Sequence, residues 1–226
     1  MILFRGLVVV VSMSAAASLA QPVELPTLTE SEKKKLDSGE VVVHELKPTD
    51  GRGVCGRAMG VIDAPSSEVW PIARDCEHFS KFLPETKTSK RTIVDGETIC
   101  FDELRLPFPL TNLWAETKTV AREEPAGHFH RDWSFVKGTY KRNKGAWTVV
   151  PWGEAKDKSL VIYYVDSDPA MLVPDFILRG AQVGSLPKIF SGIKKRLKDL
   201  RDTAAAAPAP APVPALAAPA AAAATP

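Results

Sequence analysis

Apolar and polar residues alternate over much of the chain between residues 88 and 168, which is the period of a half-buried β-strand. Short turn-type stretches separate the alternating segments at 95–96, 124–127, 141–145 and 153–157. We therefore predict a meander of about six antiparallel strands. Its segments lie at 88–94, 97–107, 110–123, 128–138, 145–152 and 158–167.

The residues before the meander combine one bent strand with two short helices. Residues 40–46 and 53–64 have strand character, and we interpret them as one extended first strand interrupted by the turn 48–53. Residues 64–86 then begin with Pro65 and two serines, which favour a helix start, and Pro71 comes early enough to be tolerated. Two short helices are the expectation for this segment.

A second periodicity marks two further helices. Leu186, Ile189, Ile193, Leu197 and Leu200 recur at steps of three and four, which predicts an amphipathic helix of about six turns, with a kink at Pro187. Near the other end, Thr29 and Glu32 have the spacing of a capping box, and Gly39 ends the short polar segment that follows.

The order of these elements predicts an α+β fold. A sheet of about six to seven antiparallel strands, followed by a single long helix, buries its apolar face most simply by curling around that helix. The predicted architecture is thus a curved antiparallel sheet wrapped around a long C-terminal helix, with two short helices after the first strand.

Both ends of the 226-residue chain differ in composition from the middle. Residues 1–20 contain Arg5, an apolar run shorter than the roughly 20 residues of a membrane-spanning helix, and small residues up to Ala20. We predict a signal peptide cleaved after Ala20, and hence a periplasmic or secreted protein. Residues 203–226 are rich in alanine and proline and predict an extended or disordered tail. Between them we expect a lead-in helix at 21–39 and one domain at 40–202.

Charge and cysteine usage narrow the classes of function. The formal net charge is +2, and no long basic stretch is interleaved with aromatic residues, so a nucleic-acid partner is not expected. Cys55, Cys76 and Cys100 match no zinc or CxxC spacing. After export, two arrangements are possible: one disulfide with one remaining thiol, or three separate thiols. The sequence does not show which two cysteines would pair.

Three stretches together resemble the START-like superfamily (SRPBCC, helix-grip fold), including its coenzyme Q-binding and polyketide cyclase-like branches. Residues 60–84 resemble the first strand, the "AP…VW" helix start and the "D…F..FLP" end of the second helix. Residues 106–120 are similar to a proline-rich corner between consecutive strands, and residues 163–179 to the last strand and the start of the C-terminal helix. The resemblance covers about residues 53–201.

This resemblance implies a helix-grip domain that holds an apolar ligand between the sheet and the C-terminal helix. One departure limits what is carried over. Asn112, Leu113 and Trp114 stand where START proteins usually have an Arg-Asp pair. Ligand preferences that depend on that pair are therefore not expected here.

Strand 128–138 carries the most informative candidate residues. Its odd positions Phe129, Arg131, Trp133 and Phe135 share one face, which we predict to point inward. A guanidinium on an inward face is costly unless it is paired. Either a carboxylate such as Glu103 or Glu116 meets Arg131, or the polar head of a ligand does; a structural ion pair and a ligand contact both remain open.

Aromatic residues on several other segments complete the candidate site. Trp147 and Trp152 fall on opposite faces of one strand, so one is expected to line the interior and the other to lie at a rim. For each aromatic residue, filling the core is the alternative to lining a cavity. The predicted ligand-binding residues are Phe101, Arg105, Trp114, Phe129, Arg131, Trp133, Phe135, Trp147, Tyr163 and Phe176.

The sequence contains no recognisable catalytic or metal-binding motif. G-x-S-x-G, H-E-x-x-H and phosphate-binding glycine loops are absent, and His128 with His130 lacks a third ligand at helpful spacing. We therefore predict no catalytic residues, no metal and no cofactor. The predicted function is binding of a lipid, quinone or polyketide-like molecule by a monomer, with transient contact to a membrane. The alternatives are a cyclase or dehydratase of the same superfamily, with Arg131, Glu103 or a tyrosine as acid or base, and a structural envelope domain whose cavity is filled.

Overall fold

Eight antiparallel strands form a single curved sheet in the computed structural model, which describes residues 25–174, 177, 180 and 184–206. The strands are β1 (Val42–Glu45), β2 (Val54–Ile62), β3 (Thr86–Val94), β4 (Glu97–Leu104), β5 (Leu113–Glu124), β6 (His128–Gly138), β7 (Tyr140–Trp152) and β8 (Lys158–Pro169). They are arranged in the order β1-β2-β8-β7-β6-β5-β4-β3. The predicted α+β helix-grip architecture is confirmed.

The strand count is one higher than the upper end of the prediction, because the first strand was interpreted as a single element. The turn between residues 45 and 54 reverses the chain completely, so that β1 pairs antiparallel with β2. The predicted turn 141–145 is also wrong. These residues belong to β7, and the chain reverses at Thr139 instead.

Helices cover one face of the sheet, which we call the inner face. α2 (Ser66–Arg74) is followed by a 3-10 helix at Cys76–Lys81, so the second predicted helix is present but is not an α-helix. α3 (Leu186–Ala206) packs with both of them over β2. The resulting core includes Ile62, Trp70, Trp147 and Phe190.

The predicted and observed forms of α3 differ in which side chains are buried and in where the helix ends. Pro187 stands in the first turn of α3, where a missing backbone N–H is tolerated, and residues 184 and 185 form a π-helical turn directly before it. Its buried side chains are those of Leu186, Ile189, Phe190, Ile193 and Leu197, whereas Leu200 is 40% exposed. The helix also runs through Ala206, beyond the predicted start of the tail at residue 203.

Two glycines allow α3 to lie close to its neighbours. A Cβ atom on Gly60 of β2 would approach the Phe190 ring to 2.5 Å, and one on Gly192 would approach the carbonyl oxygen of Phe82 to 2.0 Å. Gly192 therefore lowers helix propensity but allows close contact with the end of the 3-10 helix. This close contact brings α3 against the C-terminal end of the 3-10 helix.

The outer face of the sheet is only partly covered. α1 (Glu30–Asp37) has the predicted capping box between Thr29 and Glu32 and buries Leu36 against a second core that includes Met59, Val150 and Ile162. Trp152 packs at this second core, and its indole N–H donates to Asp37 at 2.8 Å. The predictions for residues 1–24, for Phe176 and for residues 207–226 lie outside the described residues.

Candidate functional site

Two adjoining chambers lie between the inner face of the sheet and the helices. The inner chamber has a volume of about 100 Å³, and the outer chamber, nearer the start of α3, about 220 Å³. They share the walls formed by Leu83, Thr86, Leu104, Tyr140 and Tyr163. Together they approach the lower end of the roughly 300–1,000 Å³ of typical ligand sites.

The outer chamber is mainly apolar. Its walls come from the ends of β4, β5 and β8, from the segment after β8 and from the first turn of α3. Leu106 of the proline-rich corner between β4 and β5 lines it, and the Phe108–Pro109 peptide bond of that corner is cis. The apolar side chains on its walls include Val54, Leu106, Leu113, Val165, Val173, Ile177, Leu186 and Ile189.

The inner chamber differs because polar side chains reach into it from several strands. Asp102 of β4, Thr117 of β5, Arg131 of β6, and Tyr140 and Asn143 of β7 line it together with Tyr163 of β8. Tyr163 lies between Trp133 and Trp147, with ring centroids 5.6 and 4.6 Å away. The mainly apolar outer chamber thus leads into an inner chamber whose walls combine polar and aromatic side chains.

Arg131 is the central charged residue of this pocket. It is only 3% exposed, and its guanidinium donates to the Ala73 carbonyl oxygen at 3.5 Å and to the Cys100 sulfur at 3.1 Å. The guanidinium carbon also lies 5.2 Å from the centre of the Phe79 ring. Burial lowers the pKa of Arg131 to about 10, although Asp102 opposes this change. The side chain therefore stays charged at neutral pH.

Asp102 is the carboxylate with the strongest electrostatic effect on Arg131. Its Oδ1 atom is buried and has no hydrogen-bond partner among the described residues. Burial raises the pKa of Asp102 to about 7, with Arg131 acting in the opposite direction. Burial also raises the pKa values of Tyr140 and Tyr163 well above their usual range. The pocket thus contains a charged guanidinium, two neutral phenols and a carboxyl group that titrates near neutrality.

The sequence analysis named two other partners for Arg131, and both are wrong. Glu103 and Glu116 lie on the outer face, because β4 places Cys100, Asp102 and Leu104 inward and β5 places Leu113, Ala115 and Thr117 inward. Glu103 binds Lys87 and Asn112 there, and Glu116 binds Lys137. Neither carboxylate reaches the guanidinium.

The predicted ligand-binding residues separate into three groups in the structure. Arg131, Trp133, Trp147 and Tyr163 line the inner chamber, and Tyr163 and Arg105 line the outer one. Phe129 and Phe135 pack on the inner face without lining either chamber: Phe129 stacks on Trp70 at 5.3 Å, and Phe135 packs beside Leu113 and Tyr140. Phe101 and Trp114 stack on each other on the outer face, 6.0 Å apart.

Five polar residues of the inner chamber were not predicted: Thr86, Asp102, Thr117, Tyr140 and Asn143. Phe101, which precedes Asp102, is among the predicted ligand-binding residues, but the two side chains point to opposite faces of β4. A usable signal was the placement of Asp102 between Cys100 and Leu104 at period two. Asn143 belongs to the segment predicted as a turn, where no inward direction was assigned; its amide oxygen accepts a hydrogen bond from Trp133 at 2.9 Å.

A disulfide joins Cys76 of the 3-10 helix to Cys100 of β4, which settles the pairing that the sequence left open. Both sulfur atoms belong to fully buried residues beside Arg131. Cys55 belongs to β2, next to β8 in the sheet, and its sulfur donates to the Tyr164 hydroxyl at 3.7 Å. The disulfide fastens the wall of the inner chamber at β4.

One group of metal-type ligands occurs among the described residues. Asp75, Glu77 and His78 bring three ligand atoms within 4.8 Å of one another, and His78 Nδ1 lies 2.6 Å from Asp75. Exposed acidic groups of this kind are common without an ion. His130 is held by Thr148 and Asp132, at 2.8 Å each, on the outer face.

A family model described as polyketide cyclase / dehydrase and lipid transport matches residues 62–196, more than half of the chain. The protein therefore belongs to this START-like family. The comparison with curated proteins gave no match. Within the described residues, no helix is both long and apolar enough to cross a membrane.

Solved structures support the same fold. A STAR-related lipid transfer protein from Xanthomonas axonopodis is 19% identical, with a TM-score of 0.59 over 70% of this chain and 93% of its own. Human StAR-related lipid transfer protein 5 is 12% identical, with a TM-score of 0.62 over 72% and 84% of the two chains. Human STARD10 is 12% identical, with a TM-score of 0.57 over 80% and 83%. At these identities the likeness shows the fold alone.

Proposed function

We propose that this protein binds a hydrophobic or amphipathic small molecule, of lipid, quinone or polyketide-like size, between the sheet and α3. The observation that carries this proposal is the pair of adjoining chambers, of which the larger is an apolar space of about 220 Å³ that the protein's own side chains leave unfilled. The family description, and the lipid transfer proteins that share the fold, support a ligand of this class.

A filling variant tests the proposal directly. Leu104 lines both chambers, so we expect Leu104→Trp to occupy the space and to weaken binding of the uncharged fluorescent probe N-phenyl-1-naphthylamine by about tenfold or more. Phe101 lies on the same strand but on the outer face, which makes Phe101→Trp a matched control. Equal binding by the parent protein and by Leu104→Trp, with both proteins folded, would contradict the proposal.

The protein is proposed to act outside the cytoplasm as a monomer. The segment 1–20 has the composition of a signal peptide, and the Cys76–Cys100 disulfide supports export because disulfides persist in oxidising compartments. Expression in the native host followed by fractionation and N-terminal sequencing tests this location. A mature chain beginning at Gln21 is expected, and an uncleaved cytoplasmic protein would contradict it.

Transient contact with a lipid bilayer is part of the same proposal. Phe108 is 97% exposed and Leu172 is 82% exposed. They stand next to residues of the outer chamber, and Thr111 donates to the Met171 sulfur at 3.7 Å, which joins their two segments. Exposed apolar side chains of this kind mark interaction surfaces. Their position at the mouth of the chamber favours a lipid surface as the partner.

A second candidate is acid-base chemistry on a bound carbonyl compound, and Asp102 is the observation that favours it. A carboxyl group with a pKa of about 7 inside the chamber is suited to take up and return a proton. Glu103, the acid-base candidate from the sequence, faces the other side of the sheet. The test is deuterium exchange into an enolisable ketone such as 2-octanone. Exchange lost in Asp102→Asn would support an enzyme, and binding without exchange would leave the binding function alone.

A further inference from the structure

The buried Arg131 guanidinium in the inner chamber has more N–H donors than acceptors. A guanidinium has five N–H donors, and the acceptors of Arg131 within the described chain are one carbonyl oxygen at 3.5 Å and one sulfur, a weak acceptor. Tyr140 and Tyr163 line the same space. A ligand that satisfies the guanidinium must bring acceptor oxygens rather than further donors.

The buried charge is also incompletely compensated. Arg131 is charged at neutral pH, yet it forms no ion pair within the described residues, and Asp102 and Asp75 act on it only at longer range. Asp75 is bound to His78. Because an unpaired buried charge is strongly unfavourable, a negative group in the chamber would gain both Coulomb and hydrogen-bond energy there.

Asp102 is compatible with such an anion when it is protonated. The charged and titratable groups that face it are Arg131 from β6, Tyr140 from β7 and Tyr163 from β8, with Asp75 acting through Arg131. Burial keeps a substantial share of its carboxyl groups protonated near neutrality. The protonated form has an O–H to donate, and its Oδ1 atom has no other partner in the described chain.

We propose that the inner chamber binds the carboxylate head of an amphiphile, with Arg131 as the charged donor and protonated Asp102 as the second donor, while the chain lies in the outer chamber. This inference rests on the proposed binding function and names its ligand class. A carboxylate offers about four lone-pair sites and one negative charge, which matches one buried cation and a set of donors. A single hydroxyl satisfies fewer of them and leaves the cation unpaired.

The first experiment compares two probes with the same chain on the full protein. Calorimetric titration near neutral pH is expected to show octanoate bound about tenfold more tightly than octanol. Octanol bound as tightly as octanoate, or more tightly, would overturn the head-group inference and leave the proposed function standing. Binding of neither probe, nor of N-phenyl-1-naphthylamine, would overturn both.

The second experiment removes the buried guanidinium. Arg131→Met keeps an apolar side chain of similar length and removes a buried charge that forms no ion pair within the described residues. The preference for octanoate should fall to about twofold or less, while octanol affinity changes by less than about threefold. Arg122→Met is the matched control, because Arg122 pairs with Asp132 on the outer face at 2.7 Å. A preference retained in a folded Arg131→Met protein contradicts the proposal.

The third experiment follows the proton. At about pH 8 the free protein holds Asp102 mostly ionised, so octanoate binding should take up close to one proton, measured by calorimetry in buffers of different ionisation enthalpy. Affinity should fall by up to about tenfold per pH unit above neutrality. Asp102→Asn should bind octanoate without proton uptake. Binding by the parent protein with no proton uptake would contradict the role given to Asp102.

Discussion

The inner and outer chambers share five wall residues but differ in the chemistry of the rest of their walls. The outer chamber is enclosed mainly by aliphatic side chains and by the first turn of α3, while the inner one contains Arg131, Asp102 and Asn143. Apolar walls give affinity without direction, and a few placed polar groups fix orientation. Under the proposed function, the outer chamber holds the apolar chain of the ligand, and the inner chamber binds its polar head.

Removal of α3 should have the largest effect, because this helix closes both the core and the outer chamber. Its five buried apolar side chains contribute about 1.5–3 kcal/mol each when fully buried. The total is comparable with the roughly 5–15 kcal/mol of net stability of a whole domain. A chain ending at Pro174 should therefore be insoluble or lack a cooperative melting transition in calorimetry.

A chain ending at Ala206 is the control for that truncation, since it keeps the whole of α3. Its melting temperature should stay within about one degree of the full chain, because the Ala/Pro-rich composition of residues 207–226 predicts an extended tail, and such termini contribute little to stability. A soluble chain ending at Pro174 that melts cooperatively and still binds the naphthylamine probe would contradict the role of α3.

Two tryptophans next to the same tyrosine should respond differently to truncation. Trp147 is 1% exposed and packs in the main core, so Trp147→Ala should lower the free energy of unfolding by about 3–5 kcal/mol. Both tryptophans line the inner chamber, but Trp133 is only partly buried, so Trp133→Ala should cost less stability while it weakens probe binding. Chemical denaturation and probe titration on the same samples separate the two effects. Equal losses of stability would place Trp133 in the core instead.

The polar end of the cavity should also give a pH-dependent stability. The folded-state pKa of Asp102 is raised to about 7 from about 4, so its contribution is fully present below about pH 4 and is lost as the pH rises toward 7. Asp102→Asn should therefore raise the free energy of unfolding by about 1–3 kcal/mol at pH 8 and change it little at pH 4. Denaturation curves at both pH values measure this.

Glu103 provides a control of opposite sign on the same strand. Asn112 first, and then Lys87, lower the pKa of its carboxyl group on the outer face. Glu103→Gln should accordingly reduce stability above about pH 4 and have no effect at lower pH.

If Asp102→Asn were destabilising at pH 8, the assignment of Asp102 as a buried, unpaired carboxyl group would be wrong.

The smallest effect concerns the mouth of the outer chamber. Replacing Phe108 and Leu172 together by serine should slow transfer of N-phenyl-1-naphthylamine from phosphatidylcholine vesicles several-fold, with the melting temperature and equilibrium affinity unchanged. Stopped-flow fluorescence follows the transfer. Val120→Ser is the control, because Val120 is half exposed away from the chambers. Transfer at the parent rate would exclude a membrane role for this surface.

The periodicity of the sequence predicted the fold well and the walls of the cavity only in part. The inward orientation of Arg131 and Trp133 was predictable, because these two residues alternate with Phe129 and Phe135 on one face of strand 128–138. Strand 97–104 carries apolar residues on both faces, so its periodicity does not show which face Phe101 occupies. Knowledge that Cys100 is bonded to buried Cys76 fixes that orientation, but the pairing depends on contacts between residues distant in sequence.

Asp102 illustrates why polar residues in a cavity are difficult to predict. Acidic residues are mostly exposed, so an aspartate in a strand is expected to face solvent. Apolar residues two positions before and after it are the signal for the opposite orientation. The predicted turn at residues 141–145 is wrong for a related reason, since Arg142 lies in a stretch with the composition of a loop but binds buried Asp166 from within β7 at 2.8 Å. A charged residue inside a strand finds its partner on an element distant in sequence, and a local sequence pattern does not reveal that partner.

Native mass spectrometry of the protein purified from its own host tests the central claim most directly. We predict that gentle ionisation will show an added mass of one small molecule per chain, released on denaturation and identified as a lipophilic compound with an acidic head. The Leu104→Trp protein prepared in the same way should have lost this mass. A parent protein that is uniformly empty, and that takes up neither octanoate nor N-phenyl-1-naphthylamine when these are offered, would contradict the account.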